Sequence, residues 1–274
     1  MGLRINTNVA SLTARRNLSL VSQRLRGNYN RLSSGLRIAT AADDAAGLGI
    51  SERMRARIRS YTVASRNAMD GISLAQTTDG ALQEVNGMLS RLRELAIQAS
   101  NGTLAQSDRD TINAEFTELI SEIDRVATTA EFNGIQLLDG TSTTVTIQVG
   151  IDAGAGNTID VTLLDVRAAT LGIDSLTTDT EANAQAALAA IDSANELVIL
   201  GRGQAGAIQN RLQSALNSAV VAHENLSASE SRIRDVDVAA ETGDLTRNAI
   251  MQQAAVSVLT QANVQPQLAL SLLG

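Results

Sequence analysis

The chain has 274 residues and 44% of them are hydrophobic, yet there are only two Tyr, two Phe and no Trp, so burial has to come from Ala, Leu, Ile and Val rather than from a ring-lined enzyme pocket. With no Cys and a single His, at position 223, it has no disulfide framework, thiolate nucleophile or cysteine-ligated metal site. Every one of its 22 basic residues is Arg, against 29 acids, and a net charge of −7 argues against general nucleic-acid binding.

In chain order, the first element is a helix whose apolar stripe is Leu18, Val21, Leu25, Tyr29 and Leu32. The first 66 residues carry twelve Arg against three acids, and the remainder ten Arg against 26, so opposite charge sits in different parts of the sequence. Sparse Arg interleaved with Leu and Val suits a helix packed on an acidic neighbour better than a membrane-binding or nucleic-acid arm. The opening residues lack an apolar signal-peptide core, and no stretch reaches the roughly 18 apolar residues of a membrane span. Asp43 and Asp44 are adjacent and point apart, which fits a helix N-terminal turn better than a carboxylate dyad.

Next, Ala75, Thr78, Leu82, Val85, Leu89, Leu92, Ala96 and Ala99 recur at alternating steps of three and four and stop before Asn101-Gly102, a helix C-terminus. Ile112, Phe116, Leu119, Ile123 and Val126 repeat the pattern behind Ser107, a candidate N-cap. A single β region follows: TTVTIQV at 143–149 and TIDVTLL at 158–164, joined by a Gly-rich connection, read as a hairpin expected at the far end of the helices. Residues 165–179 leave room only for a short connection.

The longest seam starts at Ala187 and runs through Ile191, Val198, Gly201, Ala205, Leu212, Ala219 and Leu226 to Ala240. With Thr178 and Glu181 at capping-box spacing, it predicts one helix over about 180–240, on the order of 90 Å long. A last stripe, Ile250, Ala254, Val258 and Ala262, runs up to Pro266. The expected fold is mainly α: a long antiparallel coiled-coil rod with a small β-hairpin. The terminal stripes lie at opposite ends of the chain and meet only if it goes out and returns.

Motifs with chemical meaning are few. Gly201, Gly203 and Gly206 spell G-x-G-x-x-G, but the heptad runs through them and no βαβ unit surrounds them, so they read as small residues in a close helix contact. Asp235 and Asp237 start a calcium-loop spacing that fails at Ala240 and Thr246. His223 has no nucleophile implied beside it. No catalytic, cofactor or metal site is expected.

The segments RLSSGLRI (31–38), DDAAGLGI (43–50), SRNAMDGISLAQTTDGAL (65–82), RLRELAIQASNGT (91–103), EIDRVATTAEFNGIQLLDG (122–140) and TIQVG (146–150) resemble bacterial flagellin, as do GAIQNRL (206–212), SRIRDVDVAAET (231–242) and MQQAAVSVLTQANVQPQLALSLL (251–273). The resemblance covers nearly the whole chain, in the family's order. It implies a secreted, extracellular filament subunit for swimming. Residues 1–42 and 240–274 would form an inner layer (D0) and 43–239 an outer helical layer with the hairpin at about 143–164 (D1), with the outer D2 and D3 domains absent. Polymerisation would run through Leu18, Val21, Leu25, Leu32, Ile250, Val258, Leu268 and Leu272, the terminal stripes ordering only when sister molecules cover them.

The resemblance also implies partners: further copies of the chain, a flagellar export chaperone, the type III export apparatus, and the filament cap and hook-associated proteins. A flagellin-sensing Toll-like receptor would meet Arg91, Leu95 and Glu115, with Ser90 replacing a longer polar residue; the competing reading makes Arg91 and Glu115 subunit contacts. A hook-filament junction protein, a minor flagellin, a dinucleotide-binding enzyme and a secreted coiled-coil effector are the alternative functions.

Overall fold

A computed structural model describes residues 7–271, with side chains as far as residue 264. The chain order is α1 (Val9–Ser34), α2 (Ala45–Ala99), α3 (Gln106–Thr129), β1 (Glu131–Phe132), β2 (Ile135–Gln136), β3 (Thr144–Gln148), β4 (Thr158–Thr162), α4 (Ala168–Leu171), α5 (Glu181–Arg234) and α6 (Val238–Ser271). It divides into two compact units, Arg57–Glu224 and the paired segments Met1–Ala56 with Asn225–Gly274.

In the unit Arg57–Glu224 the heptad seams are the core. Ala75, Thr78, Leu82, Val85, Leu89, Leu92, Ala96 and Ala99 of α2 are all buried, as are Ile191, Val198, Ala205 and Leu212 of α5 and Ile112, Phe116 and Ile123 of α3. Asp79–Arg202, Asn86–Asn195 and Arg93–Asp192 pair across α2 and α5, residue numbers rising on one helix as they fall on the other, so the two are antiparallel. Aliphatic and Ala side chains supply most of this core. Phe116 is its one fully buried ring, contributing about 1.5–3 kcal/mol by area.

β3 and β4 pair antiparallel with Val145 opposite Val161 and Ile147 opposite Ile159, and these four face inward. The hairpin lies along the helices and not beyond their far ends: a Cβ added to Gly71 in the middle of α2 would stand 3.2 Å from both Ile147 and Leu212. Side-by-side packing covers the apolar face of the hairpin, which an end-on position would leave wet.

Several local readings are corrected. β1 and β2 form a second hairpin, closed by Asn133 (φ 50°) and Gly134 (φ 78°), the positive-φ pair that a two-residue turn requires. Its Asn-Gly signal sat inside EFNGIQ, too short a run for periodicity to mark. α2 begins thirty residues before the Ala75 seam, where Asp44 Oδ1 accepts from Gly47 N and caps it. Ser107 lies inside α3, whose N-cap position is Ala105. Thr178 does not cap α5. It is buried, donating through its backbone N and hydroxyl to Asn113 Oδ1, while Thr180 Oγ1 accepts the capping bond from Asn183 N.

The expected single helix over 180–240 is two helices. Asp235 and Val236 leave the helix to meet the connector between α1 and α2: Leu36 bridges Asp235, Val236 N donates to Gly35 O, and Arg37 N donates to Arg234 O. Asp237 Oδ1 then accepts from Ala239 N and Ala240 N and starts α6. Pro266 does not interrupt α6, which continues to Ser271.

Asp165, just beyond β4, accepts from Arg167 Nη2 (2.7 Å), Arg167 Nε (3.0 Å), Arg167 N (3.1 Å) and Thr170 Oγ1 (2.7 Å). The Arg167 side chain, then Thr170, hold its carboxyl down at about 2. Because the folded value is depressed, the stabilisation is complete above the ordinary carboxylate value of 3.8 and is lost as pH falls through about 2. In thermal unfolding, Asp165→Asn is expected to lower the melting temperature at neutral pH, with a difference from the parent that shrinks between pH 4 and pH 2.

Candidate functional site

α1 and α6 pair antiparallel through a seam of small, aliphatic and polar residues. Ser11, Ala14, Leu25 and Asn28 of α1 are buried and Leu18, Val21 and Leu32 are half-buried. From α6 come Glu241, Asn248 and Ala262, buried, with Leu245, Gln252, Ala255 and Leu259 half-buried. Asn8 Oδ1 accepts from Ser11 N to cap α1, and Asn8 Nδ2 donates to Ala262 O. At its other end α1 stops at Gly35, whose φ of 72° is the left-handed conformation of a helix C-cap.

The α6 stripe read from the sequence is not the seam with α1. Ile250 and Val258 are 60% and 59% exposed, so they do not cover α1. Ile250 lies two residues beyond Asn248, about 200° around the helix from the seam. The true seam alternates polar and apolar residues, and a search for apolar periodicity passes over it. Ala262 alone of the expected stripe is buried. Outward apolar side chains also stand on α1, where Val9, Leu12 and Leu20 are exposed, and at Val256 of α6. The helix pair therefore has an inner face closed within the chain and outer apolar faces left open. Leu268 lies beyond the described side chains and Leu272 outside the described residues.

Of the second group, Arg91 and Glu115 are exposed and joined: Arg91 Nε and Nη2 donate to Glu115 Oε1 at 2.9 and 2.8 Å, and Nη1 donates to Glu94 at 3.0 Å. The Glu115 and Glu94 carboxylates hold the Arg91 pKa above its ordinary value. Leu95 is 1% exposed, in the core. It therefore offers no surface, and only Arg91 and Glu115 stand together on the outside.

The remaining motifs resolve locally. Gly201 is the one glycine of its motif in close contact, since a Cβ there would approach Leu164 to 2.8 Å; Gly203 and Gly206 face open space. LVIL at 197–200 is helical, so no strand precedes them. Asp237 is a helix cap and His223 is half-buried on α5. Among the described residues no cluster of three His, Cys, Asp or Glu could hold a metal, and no helix is long and apolar enough to cross a membrane.

These features define a helical structural protein organised around a terminal helix pair with outward apolar faces. The bacterial flagellin N-terminal helical region matches residues 5–143 and the flagellin C-terminal helical region matches 188–273. The chain is 47% identical to a flagellin of Halalkalibacterium halodurans over 98% of its own length and 99% of that protein's, and 41% identical to a flagellin of Bacillus subtilis over 99% and 100%. A crystal structure of Bacillus cereus flagellin, 32% identical, superposes with a TM-score of 0.51 over 56% of this chain and 88% of that one. The chain belongs to the bacterial flagellin family and is a structural subunit of the flagellar filament. Residues 144–187, between the two matched regions, hold β3, β4 and α4 and no further domain.

Proposed function

We propose that the chain polymerises through the outward faces of the α1–α6 pair, with Ile250 and Val258 on α6 and Val9, Leu12 and Leu20 on α1 making the contacts between copies. The observation that carries this reading is the exposure of Ile250 and Val258 on a helix that is already packed on α1. Leu18, Val21, Leu25 and Leu32 act one step earlier, holding α1 on α6 so that the outer faces are presented together. On this reading residues 1–42 and 240–274 form the inner layer of the filament and 43–239 the outer layer.

Ordering of the terminal helices is coupled to that assembly. On α1 and α6 only Ala14, Leu25 and Ala262 are buried apolar residues among those described. That is little apolar burial against the cost of about 1–2 kcal/mol for fixing each backbone residue. An unassembled chain with unfolded ends also suits a narrow export route. Passage through the flagellar type III apparatus, a chaperone on the C-terminal segment, and contact with the filament cap and hook-associated proteins complete the proposal, which places the chain outside the cell.

Ile250→Asp with Val258→Asp is expected to abolish filaments seen by electron microscopy and leave the melting of Arg57–Glu224 unchanged; normal filaments would contradict the reading.

The exposed Arg91–Glu115 pair supports a receptor contact, narrowed from three residues to two. An exposed ion pair is screened by solvent and contributes little to stability. Arg91→Ala is therefore expected to leave the melting temperature nearly unchanged while lowering signalling by cells that carry a flagellin-sensing Toll-like receptor. Unchanged signalling would leave the pair to subunit contacts.

A further inference from the structure

α1 carries five Arg and no acid. Arg31 stands 3.9 Å from Glu241 and 4.0 Å from Asp43, but Arg15, Arg16, Arg24 and Arg26 are exposed and form no ion pair among the described residues. The acidic neighbour that their spacing suggested is missing. α6, the helix packed on α1, has no charged residue from Asn248 to Val264. The bonds from Ser11 to Asn263 and from Gln252 to Ser22 set that uncharged stretch beside the turns that carry the Arg.

These Arg frame an apolar arc. Val9, Leu12 and Leu20 are 60%, 58% and 49% exposed. At about 100° per residue, Val9 and Leu20 lie about 60° and 80° around the helix from Leu12, with Arg16 between them. Arg15 and Arg26 border the arc about 60° and 40° to one side of Leu12, and Arg24 borders it about 40° beyond Leu20 on the other. The buried Ala14 and Leu25 are on the opposite side of the helix, so the whole arc faces outward.

We propose that this outer face of α1 is a docking surface for an anionic lipid bilayer, with Val9, Leu12 and Leu20 entering the acyl boundary and the four Arg held at the phosphates. A helix with a narrow apolar stripe and a basic border lies in the plane of a bilayer surface. Arg suits the border, because its stem covers apolar surface while its guanidinium pairs with phosphate in a two-point bond. A second copy offers no such match through its terminal helices, since α6 is uncharged over this length and α1 is itself basic.

The net charge of −7 does not forbid the contact. The acids are concentrated in Arg57–Glu224, which holds 21 against ten Arg. Charges farther off than about 8 Å are screened at physiological ionic strength, whereas guanidinium groups touching phosphate are not. Three aliphatic side chains bind weakly by themselves, so the surface separates anionic from neutral bilayers. The proposal stands apart from the assembly reading. Both use Val9, Leu12 and Leu20, so at α1 a chain is held by a bilayer or by its neighbours and not by both.

The test floats dilute full-length chain, kept below the concentration at which it polymerises, with vesicles of phosphatidylcholine alone or of phosphatidylcholine containing phosphatidylglycerol. At least about fivefold more chain is expected to float with the anionic vesicles, and added salt is expected to release it. Arg15→Gln, Arg16→Gln, Arg24→Gln and Arg26→Gln together are expected to remove that excess, as is Leu12→Asp with Leu20→Asp. Arg57→Gln, Arg59→Gln, Arg66→Gln and Arg211→Gln together make the same change in total charge on the other unit and are expected to leave flotation unchanged.

The surface is overturned if the chain floats equally with both kinds of vesicle or with neither, or if either α1 variant floats as fully as the parent. Equal loss in the Arg57–Glu224 control also overturns it, since total charge and not this face would then govern binding. A four-Gln α1 variant that floats like the parent but no longer forms filaments would assign the four Arg to a neighbouring copy instead.

Discussion

A helix that carries apolar residues on two faces can close only one of them against a single partner, and the organisation of this chain's terminal unit depends on that constraint at α6. Its inner face, from Glu241 to Ala262, is used by α1, while Ile250 stands on the opposite side and Val258 on the flank of the seam, both exposed. Covering them requires a surface that the described part of the chain does not supply. On the proposed reading, copies of the same chain supply it in the filament, where every subunit is both donor and receiver of such a surface.

The unit Arg57–Glu224 has the opposite character. Its seams are closed by residues that are almost all buried, and the hairpin is clamped against them at Gly71. Small residues allow this closeness: Gly71 and Gly201 sit where a methyl group would press on Ile147, Leu212 or Leu164. Such a core needs no second copy for its burial. The division of labour is thus between a unit stable by its own packing and a helix pair whose packing is left half complete.

The sequence disclosed the self-contained unit more fully than the pair. All eight expected α2 seam positions are buried, because there a strict apolar heptad and burial coincide. At α6 they diverge: Glu241, Asn248 and Gln252 occupy the seam, so apolar periodicity marked the outer face instead. The break at Asp235–Asp237 was hidden because the heptad continues through it, and the break is made by a long-range bridge to Leu36 that no local pattern encodes. The short β1–β2 hairpin was legible only through its Asn-Gly turn. Leu95 shows the limit of carrying a site over by likeness alone: it stands beside Ala96, outside the eight expected seam positions, and is buried all the same.

The claim that the terminal helices finish folding only against sister chains is tested most directly by amide hydrogen exchange on dilute, unassembled chain and on filaments. The account predicts rapid exchange across α1 and α6 in the dilute chain, protection of α2, α3 and α5 within Arg57–Glu224, and protection of α1 and α6 in the filament. Amides of α1 and α6 as slow to exchange in the dilute chain as those around Phe116 would contradict it.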